Sequence, residues 1–565
     1  MVLIILSWIY IFFTTINLGY GLEKIISIKQ RNLVITSFLG LFSATILGSI
    51  WAIFGRINIE FHVFLLVINF FIIAKYKFEI IQIYKSFIKK IKELEFGLQF
   101  FLVIISVLIL AQCASIPYII DNESYYIQTI KWINEYGFVK GLANLHIFLA
   151  QTSGWHVAQS IFNFSFLYKN FNDLSGFCLL LGNIFAIFKL NSYFKNQKKS
   201  FLIAGLLPFA NVFFFQFISA PSPDIAVYIL TFILLFYFIK GYKKTKIEDF
   251  NLITILTLFI LFIKPTSILI ALIPITLQLL NFKKLIKTMY IPTLVSILVL
   301  VVFITKNLLI TGYPLFPLTN FNLSFDYAVP KNVMQYFFSE NMRYSFFISE
   351  TDLKNLSPIK IAIKWLFSSN INSIFNILTL IVFTLSPIFI YKYFNKKSVW
   401  IIYLVMLIQL MFLLIIAPQY RFFIHLTLFL SFLMFASWFT HRKYILLGYF
   451  VSTLLVIIVV FFPISFKGLT QNKLISKNSN FNIENTIFPH NNTKWKTNFQ
   501  KHQKGNLIYN SPINNYFFWG TGNGDLPAVN IDQLNYFEKY FYVIPQQRTN
   551  NLKDGFYPKK LSENE

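Results

Sequence analysis

Asp121 and Glu123 stand two positions apart in the motif DNES, directly after an apolar run over 98–118. The chain has 23 acids against 49 lysines and arginines, so two carboxylates fixed at the edge of an apolar span mark either a chemical centre or the start of a helix. Such a pair can exchange a proton or hold a cation. Equally, Asp is a good helix N-cap and Glu complements the dipole of a first turn. Asp224, Lys264, Lys306 and Arg421 also fall at the ends of apolar runs. A charge at a helix centre costs roughly 2.5–3.5 kcal/mol on insertion scales, so snorkelling anchors at span ends are the bland reading of the cations. Asp224, after Ser-Pro, has a helix cap as its own bland reading. The same edge is where a lipid phosphate sits, and Arg421 offers the planar two-pronged donor set that lysine lacks.

These residues need a membrane scaffold. Hydrophobic residues make up 56% of the 565 and charged residues 13%, about half the charge of an ordinary soluble domain. Apolar runs near 2–20, 34–54, 58–74, 97–118, 173–190, 201–219, 224–240, 249–263, 266–281, 288–306, 372–391, 398–417, 422–439 and 444–463 predict a mainly α, polytopic transmembrane bundle of about fourteen spans. The net charge of +26 does not point to nucleic acid, because the lysines fall in short clusters between apolar runs. Alternate connections carry them, including Lys24, Lys85, Lys195, Lys243, Lys283, Lys392 and Arg442, which is the pattern of cytoplasmic loops. The loop at Asp121 and both termini are then expected on the opposite side, periplasmic in a bacterial inner membrane. That topology needs a tight hairpin at Pro265 with Lys264 outside, rather than one kinked helix.

A membrane domain over 1–463 with external loops at 119–172 and 307–371 is therefore expected, followed by a small external α+β domain over 464–565. In the first loop, Tyr125, Gln128, Trp132 and Tyr136 recur at helical spacing up to Gly137 and predict a surface helix at headgroup depth. Cys113 and Cys178 lie in apolar runs and read as packing residues. His146, His156 and His425 are too scattered for a metal site and read as structural.

Four stretches carry a resemblance: DNES at 121–124, WINEYGFVKGLANLH with a later SGW, KNLLITGYPLFP at 306–317, and APQYRFF at 417–423. Together they resemble the GT-C superfamily of membrane glycosyltransferases, whose members use polyprenyl-phosphate-linked sugars, and also a set of uncharacterised bacterial multi-pass proteins placed near it. The chain departs in having Asp-x-Glu where the superfamily often has a DxD, ExD or DE pair, and in carrying three spans before the usual first one.

What the resemblance implies is an inverting transfer to a glycan, lipid or protein acceptor of the cell envelope. Asp121 is then the expected base. Glu123 positions the acceptor or, with Asp121, holds a divalent cation such as Mg or Mn. Arg421, Lys306 and Lys264 are expected to stabilise the leaving phosphate, and Asn144, Trp155, Tyr313 and Asp224 to contribute to substrate binding. A polymerase or ligase of lipid-linked polysaccharide needs the same basic face. A flippase or transporter is the rival from another class, although broken helices and internal repeats, common in transporters, are not evident in the sequence.

Overall fold

The computed structural model describes residues 1–28, 32–168, 173–321, 323–367, 371–468, 476–494, 496–513 and 517–561. Among them, twelve helices are long and apolar enough to cross a membrane: Val2–Ile25, Leu33–Phe54, Ile59–Lys92, Phe96–Ala114, Leu174–Asn196, Lys199–Phe217, Pro223–Gly241, Tyr290–Thr311, Ile371–Phe394, Lys397–Ile416, Tyr420–Trp438 and Arg442–Phe461. The protein is a multi-pass helical membrane protein.

The count differs from fourteen at one place. The run near 249–263 forms the helix Ile247–Ile263, whose 17 residues rise about 26 Å, short of a bilayer core of about 30 Å. The following run becomes Pro265–Leu280 and Phe282–Thr288, bent by 89°, which makes up to thirteen spans if that pair is one. Pro265 has no N–H to continue a helix, and Lys264 before it is extended, so the chain reverses there. Leu272–Leu280 consequently packs back on Ile247–Ile263, the hairpin expected from the lysine pattern.

Two further elements depart from expectation. The span near 58–74 continues to Lys92 through a kink at Tyr76, because Ile80 and Ile83 recur on one face and pack beneath Ile16 and Tyr20 of the first helix. The helix after Asp121, Ile127–Glu135, ends at Gly137 with φ +77° as anticipated, yet it does not lie on lipid. Trp132, Gln128 and Tyr125 are buried: Trp132 packs edge-on against Phe556, and the Gln128 amide donates to the carbonyls of Gly522 and Gly524 at 3.2 and 2.9 Å. Helical spacing identified a buried face, and the tail rather than the membrane covers it.

The tail carries two antiparallel pairs, β1 (Phe499–Lys504) with β2 (Leu507–Pro512) and β3 (Val543–Gln547) with β4 (Phe556–Lys560), and a helix, Ile531–Phe541. It closes over both long loops at one end of the bundle. His146 meets the carbonyl of Trp519 at 3.1 Å, Tyr336 packs on Tyr536 and Phe541, and Asn144 donates to the carbonyl of Tyr327 at 2.8 Å. The Met1 amine donates to the carbonyl of Asn485 at 2.9 Å, so the first helix starts at this same end.

Candidate functional site

Between the two loops and the helix ends at this side of the bundle lies a cavity of about 250 Å³ with mostly apolar walls. Asp121, Asp224, Lys264, Lys306 and Arg421 all line it. Four are placed by helix ends. Ser222 caps the Pro223–Gly241 helix by accepting from the Asp224 N–H at 3.3 Å, which fixes Asp224 in the first turn. Lys264 is the extended residue before Pro265. Lys306 lies in the penultimate turn of Tyr290–Thr311, which stops at Gly312 because its φ of +82° favours glycine. Arg421 opens the Tyr420–Trp438 helix. The preceding loop is pinned by Trp365 Nε1, which donates to the Pro418 carbonyl at 2.8 Å, and by Tyr228, whose hydroxyl donates to the carbonyl of Arg421.

Asp121 does not act as a side-chain cap. It precedes a wide π-type turn over Asn122–Tyr126, and its carboxylate faces the cavity, where Arg421 Nη1 donates to Oδ2 at 2.5 Å. Tyr126 reaches the same oxygen at 3.4 Å. Arg421 is further oriented by Gln419, whose side-chain oxygen accepts from Nε at 2.8 Å, and by the Phe422 ring 5.1 Å away. The buried Asp224 carboxylate pairs with Lys264, whose ammonium also sits 3.7 Å from the Phe422 ring centre. Lys306 donates to the carbonyl of Thr152; among the described residues it has no carboxylate partner. The cavity thus holds two acid–base pairs and one further lysine. Burial, reinforced by Asp121, holds the hydroxyls of Tyr125 and Tyr126 well above the usual tyrosine range, so both are neutral donors.

Glu123 points away from this group. Its carboxylate accepts from the Lys494 N–H at 2.7 Å and the Thr493 hydroxyl at 2.8 Å, and its main-chain carbonyl accepts from the N–H groups of Thr521 and Gly522, both at 2.9 Å. Asp121 and Glu123 therefore do not converge as the expected cation-holding pair, and the described residues contain no group of three His, Cys, Asp or Glu side chains arranged for a metal. Asn144, Trp155 and Tyr313 also stand outside the cavity lining. Asn144 and Tyr313 tie the second loop through the carbonyls of Tyr327 and Val329, and Trp155 is fully buried with its indole donating to Ser175 at 3.2 Å.

His146 accepts from the Phe148 N–H on Nδ1, which leaves Nε2–H to donate to Trp519; burial pushes its pKa down to about 4. His156 accepts from the Ser153 N–H in a capping box. The tail turns at 491–494 and 520–525 hold the DNES segment in place. Main-chain groups make many of the contacts, so residue type gave no warning of the partner.

Residues 1–428 match the family described as a domain of unknown function, DUF8201. The chain belongs to that family. No curated protein and no solved structure matches it. The matched span includes all five charged residues of the cavity and stops seven residues beyond Arg421, before the tail.

Proposed function

We propose that this DUF8201 protein is a membrane glycosyltransferase, moving a sugar from a polyprenyl-phosphate-linked donor to a cell-envelope acceptor on the periplasmic side of a bacterial inner membrane. One observation carries the reading: Asp121 and Arg421, 300 residues apart in sequence, meet in a single cavity with a second acid–base pair and Lys306. A donor phosphate entering there competes with Asp121 for the Arg421 guanidinium, and Lys306 adds a point charge. Released from Arg421, the Asp121 carboxylate accepts the proton of an acceptor hydroxyl as that oxygen bonds to the anomeric carbon. The anomeric C–O bond breaks with inversion and its electron pair leaves on the phosphate. Guanidinium and ammonium groups at a largely dehydrated wall stabilise the developing charge.

The test is transfer by purified protein in lipid nanodiscs supplied with polyprenyl-phosphate sugars, following release of the lipid phosphate. Asp121→Asn should lower the rate by about 10²- to 10⁴-fold, the usual span for a general base. An undiminished rate would eliminate the assignment.

The flippase reading has one observation in its favour. Lys264 reaches the cavity at the start of the discontinuous segment Pro265–Thr288, and broken helices often line transport sites. Proteoliposomes that move a labelled lipid-linked sugar between leaflets without cleaving it would favour transport.

A further inference from the structure

A second, much smaller pocket of about 10 Å³ shares no lining residue with the large cavity. It forms where the Phe96–Ala114 helix ends, Leu174–Asn196 begins, and the tail passes over both at 489–492. Four oxygens on its lining residues are buried without a hydrogen-bond partner among the described residues: both carboxylate oxygens of Asp173, Ser219 Oγ and Asn492 Oδ1. Asp173 is 1% exposed and Ser219 4%.

The hydrogens of the donors that line the pocket are directed elsewhere. Ser115 donates to the Ala111 carbonyl at 2.8 Å, Cys113 to that of Ile218 at 3.5 Å, and His490 Nδ1 contacts the Asn491 carbonyl at 2.7 Å. Trp8 Nε1 donates to the main-chain carbonyl of Asp173 at 3.4 Å, and the Ser7 hydroxyl, which has no other partner among the described residues, is the neutral donor beside the Asp173 carboxyl. The pocket is about the size of one water molecule. Burial pushes the Asp173 acid up to about 7, and a water satisfies lone pairs without compensating the charge of its carboxylate form, so that form needs a counter-charge.

We propose that this pocket binds one monovalent hard cation, with sodium as the probe, held by the Asp173 carboxylate, Ser219 Oγ and Asn492 Oδ1. An all-oxygen donor set suits a hard cation, and a single carboxylate balances a single charge. The ion clips the tail to the bundle. The Asn492 carbonyl accepts from Asn122 at 2.7 Å, and the next two residues hold Glu123, so occupancy steadies the DNES segment from behind. The inference is independent of the glycosyltransferase reading.

Thermal unfolding of the full-length protein in nanodiscs, in sodium chloride against choline chloride at equal ionic strength, tests it. The expected result is a saturable rise in Tm with sodium that Asp173→Asn abolishes. Should that variant fail to fold, Ser219→Ala should raise the half-saturating sodium concentration roughly tenfold or more, since even outer partners of metal sites are worth 10- to 100-fold. An identical Tm in sodium and choline overturns the proposal and leaves Asp173 as a neutral acid. A sodium effect that Ser219→Ala leaves unchanged also overturns it.

Discussion

Arg421 occupies the carboxylate of Asp121 where a helix cap was the competing reading, and the second pair, Asp224 with Lys264, is buried on the same wall. Removing one member of a buried pair strands the other charge, so Lys264→Met should cost about 3–5 kcal/mol of stability, and adding Asp224→Asn should recover part of it. Denaturation of the wild type and the two variants in one detergent checks this. His146 gives a pH dependence of known sign. Its pKa is about 4 when folded against 6.5 as the ordinary value, so the unfolded state takes up the proton first. Stability is therefore full above about 6.5 and is lost as pH falls through about 4. Protease sensitivity of the tail should rise across that window, and His146→Gln, which gains no proton there, should flatten the profile. Scarcity and position made the acids and Arg421 legible in the sequence. Glu123, Asn144, Trp155 and Tyr313 had equal standing by motif, yet they brace the loops, because a residue's type does not reveal which way a loop turns it.

Helix positions were legible wherever an apolar run was long, and less so where a helix meets something other than lipid. The continuation to Lys92 was hidden because its lysines read as a loop, although Ile80 and Ile83 keep helical spacing. The first two helices cross at Gly19 and Gly40, where an added Cβ would collide with the carbonyls of Thr36 and Thr15. Small residues at such a crossing let backbones approach. Gly40→Val should therefore destabilise the bundle by at least about 1–3 kcal/mol, the usual cost of overpacking, seen as a lower Tm. Glu123→Gln tests the tail clasp. It should raise proteolysis of 491–525 and shift tail amides toward faster exchange, whereas a catalytic Glu123 would lose turnover with the tail still protected.

At the scale of the molecule, the lysine alternation implied that the loops near 119–172 and 307–371 and the tail share one end, and they pack together there. That Asp121 and Arg421 share one cavity was expected only through the resemblance, since no spacing in the sequence links residues 300 apart. Placing this end in the periplasm predicts that single cysteines at exposed tail positions such as Lys501 react with an impermeant thiol reagent in intact spheroplasts, while cysteines at Lys195 do not; the reverse pattern would invert the topology. The most direct measurement is donor binding beside turnover in two variants, with a polyprenyl-phosphate sugar as ligand. Asp121→Asn should bind the donor at least as tightly as wild type does, because the competitor for Arg421 is gone, and fail to release lipid phosphate, whereas Arg421→Ala should lose binding itself. Wild-type turnover in the first, or wild-type affinity in the second, would contradict the roles assigned to the pair.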